Sequence, residues 1–338
     1  MFKKSTPRSF NTLSNPCKWV IFEAKIESVK LKVYTRVEDF KGVNNPVLTT
    51  GTFDGVHGGH RVIIDRLKDI AKRVGGETVL LTFHPHPRLV LFPDDTQLRL
   101  LQTIEEKKEK LAEAGIDHLI LLPFTHEFSR MTSLEYVRDL LVEGIGIHTA
   151  VVGYDHRFGR NREGDFTALE EFGEMFGFHV EEISAQLIEN VSISSTKIRS
   201  ALTSGDVSTA NSFLGYNYSL TGRVIQGDGL GRTLGFPTAN IAIADKHKLI
   251  PANGVYTVGV RYGNSTFQGM MNIGYRPTVT SSLEQRIEVH LIDFNADLYN
   301  QEVSISVLHR LRDEMKFNNL DELKAQLLID RDLVLRNI

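Results

Sequence analysis

The sequence predicts two domains in series: an α/β parallel-sheet domain of Rossmann-like type, then a six-stranded antiparallel β-barrel with a terminal helix. Three observations carry this. A chain of 338 residues is long enough for two domains of ordinary size. From residue 47 to 183, strand-like runs alternate with helical segments. After about residue 215, strand-like runs follow one another with mostly turn residues between them. The expected division is 31–205 for the first domain, 206–217 for a linker and 218–338 for the second.

The first domain is justified by five strand-like runs, at 47–53, 78–83, 118–122, 149–153 and 178–183. Between the first two, Ile63, Leu67, Ile70, Ala71 and Val74 recur at helical spacing. Thr103 with Glu106, Thr132 with Glu135 and Thr167 with Glu170 each have the spacing of a capping box, and Gly115 is a helix stop. Strands separated by helices argue for a parallel sheet covered on both faces. In the second domain, runs at 218–225, 239–243, 255–262, 266–272, 286–294 and 303–308 argue for antiparallel pairing, closed so that no edge is left exposed. Asn319 caps the last helix, Glu322 completes the box, and Leu323, Leu327 and Leu328 form its apolar face. A helix over 196–202 and the polar stretch 203–208 mark the join.

Composition excludes several classes. Apolar residues make up 41% and charged residues 24%, which is ordinary globular material rather than a disordered or collagen-like chain. No apolar run approaches the roughly 18 residues of a membrane span. A net charge of −3 lacks the broad basic footprint of a nucleic-acid binder. The single cysteine, Cys17, excludes an intrachain disulfide and a cysteine-rich metal site, and points to a reducing, cytoplasmic setting. Residues 1–30 stand apart: six bases against two acids, the only Cys, and the only Trp, Trp19. Pro7 and Pro16 interrupt any amphipathic targeting helix, so a disordered or spurious extension is the expectation.

The first chemical constellation is GTFDGVHGGH, residues 51–60, between a strand and a helix. Gly51, Gly55, Gly58 and Gly59 let backbone approach a ligand closely. The helix start offers amides to an anion, and His57 and His60 can donate to the same phosphates. The bland alternative is a glycine turn with two incidental histidines. A second element, ISSTKIR at 193–199, supplies hydroxyls and Arg199 for triphosphate, with Ser194 or Ser195 as helix cap. Together, H-x-G-H and I-S-S-T-x-x-R match the nucleotidylyltransferase superfamily. Between them, HPHP at 84–87 and VGYDHRFG at 152–159 follow expected strands and can reach the ligand end of the sheet. Zinc at the former lacks a carboxylate or cysteine cluster. Asp155 is a candidate polar contact to substrate and Phe158 a candidate ring contact.

The second constellation is GDGLGRTLGFPTAN, residues 227–240. Gly227, Gly229, Gly231 and Gly235 make a close-approach loop that no helix follows, so it is not a dinucleotide fingerprint. Thr238 and Asn240 are hard oxygen donors two apart on a strand, hence on one face, and could share Mg²⁺.

With NIGYRPT, EVHLIDF and RLRDEMKF following in order, the chain from about Leu31 onward resembles the bacterial bifunctional riboflavin kinase/FAD synthetase family. His156 stands where that family usually has Phe, and Asn300 where Gly is usual. The resemblance implies that the first domain adenylylates FMN to FAD. Gly51, Phe53, Asp54, His57, Gly59, His60, Ser195, Thr196 and Arg199 would bind ATP there, and His84, Pro85, Asp155 and Phe158 the flavin. It implies that the barrel phosphorylates riboflavin, with Glu288 as base, Mg²⁺ on Thr238 and Asn240, and ATP on Gly227, Gly229, Gly231, Arg232, Gly235 and Pro237. The implied partners are riboflavin, FMN and ATP, without nucleic acid or membrane, and with oligomerisation left open. Transfer to another phosphorylated alcohol would leave the barrel unexplained. A nucleic-acid-reading barrel would want basic and aromatic residues where the glycines and Glu288 stand. A flavin sensor without turnover would not need the intact catalytic set.

Overall fold

The computed structural model describes residues 31–185, 193–227, 229–277 and 283–336; the extension 1–30 lies outside them. Six strands build the first sheet: β1 (Lys32–Tyr34), β2 (Val47–Thr50), β3 (Thr78–Phe83), β4 (His118–Leu122), β5 (Thr149–Gly153) and β6 (His179–Ile183). All pair in parallel, in the order β1-β4-β3-β2-β5-β6. The central strands read as near-continuous apolar runs because helices cover both faces. One face packs under α1 (Gly58–Val74), through Ile64, Leu67, Ile70 and Ala71, and α3 (Ile104–Glu113), through Leu111. The other packs under the segment of α4 (Ser133–Glu135) that continues as a π-helix, Tyr136–Ile145, and under α5 (Phe166–Phe176). A short helix, α2 (Pro87–Leu91), follows β3.

Both capping boxes expected at Thr103 and Thr132 form. The third does not: α5 starts one residue before Thr167, and its cap is Asp165, whose carboxylate accepts from Ala168 N at 3.1 Å. Two short helices end this half, α6 (Ser195–Ser204) and α7 (Val207–Leu214). Ser194 is the cap of α6, accepting from Lys197 N. The segment expected as linker is therefore helical through α7, and Val207, Ala210 and Leu214 are buried in the barrel's own core cluster.

The barrel strands are β7 (Ser219–Ile225), β8 (Ala239–Ala242), β9 (Gly254–Tyr262), β10 (Ser265–Pro277), β11 (Leu283–Leu291) and β12 (Glu302–Arg312). They close in the order β10-β11-β8-β7-β12-β9, every pair antiparallel. Asn300 sits at φ 62°, a left-handed position that asparagine tolerates and glycine adopts freely. A single helical turn, α8 (Leu230–Thr233), lies inside the glycine loop. The terminal helix α9 (Leu320–Arg336) is capped by Asn319, which accepts from Glu322 N at 2.8 Å. Leu328 is exposed rather than inward-facing; Asp330 and Val334 are the buried positions. Among the described residues no helix is long and apolar enough to cross a membrane.

Candidate functional site

β2 is where the sheet's connectivity reverses, with β3 and β4 on one side and β5 and β6 on the other. Ligands of open parallel sheets sit beyond the carboxyl ends of the strands at such a point. There the chain turns through GTFDG into α1. Phe53 (φ 44°), Gly55 (φ 94°) and Val56 (φ 38°) all have left-handed backbone. For β-branched Val56 that conformation is strained and persists only if its surroundings hold it. No side chain caps α1, which leaves the amides of its first turn for an anion.

The rings of His57 and His60 stack, with centroids 3.8 Å apart, and the buried Phe53 ring lies 4.7 Å from His60. Both Nδ1 atoms are buried without a hydrogen-bond partner among the described residues. Burial pushes His57 down to about 4; Asp54 opposes this and Arg199 assists it. Burial, His57 and Lys107 hold His60 well below the usual imidazole range. Both rings are neutral near pH 7, each with one N–H to donate.

Asp54 is turned inward. Its carboxylate accepts from Leu101 N at 3.0 Å, Gln102 N at 3.3 Å and Arg199 Nη2 at 2.6 Å. Ser195 Oγ donates to the Asp54 carbonyl at 2.9 Å. The two signatures are thus joined directly, and Asp54 aims Arg199 rather than facing a ligand. Gly59 lies against the His57 ring and the Ile193 carbonyl, and Gly51 against the Phe53 ring. Thr196 is exposed on α6.

Two residues enter this site that were not among the expected binding residues. His86 is partly buried and held to about 4 by burial, close enough to Asp54, Lys107 and Arg199 for their charges to act on it. His84 and Pro85, expected there instead, are exposed. Lys107 is buried on α3 and donates from Nζ to the Thr52 carbonyl at 2.7 Å; its spacing gave no signal. Asp155 is exposed. The Phe158 ring is not presented to a ligand: it is buried, 5.5 Å from Tyr136 and 5.8 Å from His156.

In the barrel, strand register decides the arrangement. Asn240 on β8 lies opposite Glu288 on β11 and opposite Ile225 on β7. Each member of this pair lines a cavity, Asn240 one and Glu288 the other. One, of about 350 Å³, is lined by Gly227, Asn240, Lys246, Lys248 and Arg286 among others. The other, of about 270 Å³, carries Thr238, Glu288 and His290 against apolar Phe236, Met270, Met315 and Leu327. Glu288 and His290 therefore project into the same cleft, as alternation along a strand requires. His290 Nδ1 donates to the Pro237 carbonyl at 2.8 Å and so ties β11 to the PTAN segment. No room exists for a Cβ at Gly227, which abuts the Asn240 carboxamide, or at Gly231, which abuts the Phe236 carbonyl. Gly229 and Gly235 have left-handed backbone, and Arg232 and Pro237 are exposed. Thr238 lines the second cavity and Asn240 the first; both are hard neutral oxygen donors, a set suited to Mg²⁺ with phosphate oxygens.

A family model of FAD synthetase matches residues 40–197, and one of riboflavin kinase matches residues 214–337. The bifunctional riboflavin kinase/FMN adenylyltransferase of Escherichia coli is 39% identical over 285 residues, covering 84% of this chain and 90% of that protein. That of Listeria monocytogenes is 40% identical over 283 residues, covering 84% and 89%. A crystal structure described as a macrolide-efflux protein from Streptococcus pneumoniae has the same fold, with TM-score 0.80 at 30% identity over 91% of this chain and 99% of that one. Both halves and their order are matched, and the chain belongs to the bifunctional riboflavin kinase/FMN adenylyltransferase family.

Proposed function

We propose that riboflavin is phosphorylated beside the Asn240 and Glu288 pair of the barrel, and that FMN is adenylylated beyond the carboxyl end of β2. The chain carries both activities of its family: riboflavin and ATP give FMN, and FMN and ATP give FAD and pyrophosphate. We assign the second to residues 31–205 and the first to residues 218–338, in a cytoplasmic enzyme with one cysteine.

The register pairing of Glu288 with Asn240 carries the kinase assignment. The apolar cleft suits the isoalloxazine, with the ribityl 5′-hydroxyl beside Glu288. The more polar cavity beyond Asn240 suits ATP. Glu288 takes the hydroxyl proton as the oxygen attacks the γ-phosphorus; the bond to the β,γ-bridging oxygen breaks and ADP leaves. Thr238 and Asn240 would hold Mg²⁺, which supplies charge neutralisation on the phosphates. Adenylylation needs no base, because the attacking FMN phosphate is already ionised. Its oxygen attacks the α-phosphorus and pyrophosphate leaves. The neutral N–H groups of His57 and His60, the first amides of α1 and the Arg199 guanidinium stabilise the charge that develops.

Glu288→Gln tests this reading. It keeps the shape but cannot take the proton, so FMN formation from riboflavin falls about 10²–10⁴-fold. The same enzyme given FMN and ATP makes FAD at the parent rate. Parent-rate phosphorylation by the variant would return Glu288 to an ordinary strand position.

A further inference from the structure

The strained turn Phe53–Val56 is held from behind by residues that no signature contains. Gly55 donates from N to Gln102 Oε1 at 3.1 Å. Its carbonyl accepts from Tyr216 Oη at 2.5 Å. Gln102 Nε2 donates in turn to Tyr216 Oη at 2.8 Å. Three hydrogen bonds thus form a closed ring on both polar groups of one glycine. Leu101 and Leu214 press on its α-carbon so closely that a Cβ would clash with Leu101. Gln102 N also holds Asp54, the residue that aims Arg199. Tyr216 and Leu214 lie between the sheet domain and the barrel, and Leu214 is part of the barrel's core cluster. The Lys110 ammonium lies over the Tyr216 ring, 4.8 Å from its centroid, and fixes the ring in place.

We propose that Tyr216, acting with Gln102, is a positioning residue for FMN adenylylation: it locks the phosphate-binding turn in its strained form, so the segment leading into the barrel completes the site of the other domain. This rests on the reading that the turn binds the ATP triphosphate. Neither residue touches the reacting atoms. Their effect runs through the direction of the Gly55 peptide units and of the α1 amides and His57 that follow. Burial keeps the Tyr216 phenol protonated, so it remains a donor across the working pH range. A non-glycine residue at φ 38° relaxes when its surroundings loosen, and a shift of about 1 Å in such groups costs about 10²-fold in rate.

The test uses the full chain with Tyr216→Phe, Gln102→Met and both together, beside the parent and His60→Ala. Each is assayed for riboflavin phosphorylation and, separately, for FMN adenylylation across a range of ATP. Tyr216→Phe keeps the ring and its packing. The expected result is an adenylylation kcat about tenfold or more below the parent, a smaller change in KM for ATP, and riboflavin phosphorylation within about twofold of the parent. The double variant is expected to be no slower than the worse single one, because the two residues act as one unit. Adenylylation at parent kcat in either single variant overturns the proposal. So does equal loss of both activities, or a double variant in which the single losses multiply, because both mark a merely structural contact. Parent-rate FAD synthesis by His60→Ala would instead overturn the assignment of the turn itself.

Discussion

At the scale of single residues, the adenylylation site works with uncharged imidazoles, and this has a consequence for stability. His57 has a folded value of about 4 against an ordinary 6.5, so burial disfavours its protonated form. Above pH 6.5 the ring is neutral in folded and unfolded chains alike and nothing is lost. Between 6.5 and 4 the unfolded chain takes up a proton that the folded chain refuses, so stability falls as pH falls. From pH 7 to 5 one such ring removes about 2 kcal/mol. Urea unfolding at the two pH values checks this, with His57→Gln losing correspondingly less over the interval than the parent. An equal loss would show that the ring titrates normally. Single residues are also where the sequence was least legible. His57, His60, Ser195 and Arg199 could be named because glycine spacing and helix starts advertise them. Lys107 and Gln102 could not, because no local pattern marks them: Lys107 reaches the Thr52 carbonyl from α3, and Gln102 reaches Gly55 from just before that helix. His86 stood in the HPHP motif, but the expectation fell on its neighbours His84 and Pro85. Phe158 was misread for a related reason: an aromatic after a strand looks the same whether it meets a ligand or, as here, Tyr136 in the core.

At the scale of elements, the strands and capped helices were legible because their signals are local. Alternating or continuous apolar runs gave all six barrel strands, and two of four expected capping boxes form, at Thr103 and Thr132; at Asn319 the cap forms, but the Glu322 carboxylate accepts from Asn318 N instead of closing the box. The box at Thr167 failed because Asp165 competes with Thr167 and is the better cap. The character of α7 was hidden by the polar residues between Val207, Ala210 and Leu214, the three positions at helical spacing that it buries in the barrel's core cluster. The terminal helix shows what a local pattern leaves out. Its anchor is a charge: Asp330 is fully buried and accepts from Arg312 Nε at 3.0 Å, Arg312 Nη2 at 2.7 Å and Gln326 Nε2 at 2.9 Å. This clasp seats the helix against the cleft that holds Glu288, and both of its members line that cleft. Arg312→Met leaves the carboxylate buried with one neutral partner. Breaking a buried pair from one side costs about 3–5 kcal/mol. The expected outcome is a loss of that order in urea unfolding, and a KM for riboflavin that rises by more than kcat falls. An unchanged KM would separate the helix from flavin binding.

At the scale of the whole molecule, the two halves are joined by a buried polar knot rather than by a tether. Glu106 on α3 accepts from Lys248 Nζ at 2.5 Å and from Thr221 N, at the start of the barrel, at 3.0 Å. Lys248 Nζ also donates to the Leu101 carbonyl at 2.7 Å, and it lies 4.4 Å from the centroid of the Tyr218 ring. The backbones are stitched on either side of it: Leu100 N donates to the His247 carbonyl at 2.7 Å, and Leu249 N to the Leu100 carbonyl at 2.8 Å. Leu101 then packs in the barrel's core cluster, together with Ile198, Ala201 and Leu202 of α6. A junction this dry makes the ion pair costly to break, because neither charge can recover its hydration. Burial holds the Lys248 ammonium below its ordinary range, and the Glu106 carboxylate beside it acts against that. Lys248→Met keeps most of the side-chain volume but strands the Glu106 charge between the halves. The expected outcome is a loss of about 3–5 kcal/mol, read as a lower unfolding midpoint for sheet and barrel together, since they share one core. Neutralising both partners tests the cause. Glu106→Gln with Lys248→Met removes the stranded charge and keeps an acceptor for Thr221 N, so it should recover a substantial part of the loss, with a coupling energy well above the scatter of independent sites. If the double variant is no more stable than Lys248→Met alone, the cost lies in the altered packing around residue 248. Because Lys248 also lines the larger barrel cavity, the single variant is expected to weaken ATP binding in the kinase reaction as well. The double variant should not regain that binding, because the ammonium is still missing. Recovered stability without recovered ATP affinity is therefore the outcome that separates the lysine's part in joining the halves from its part at the cavity wall.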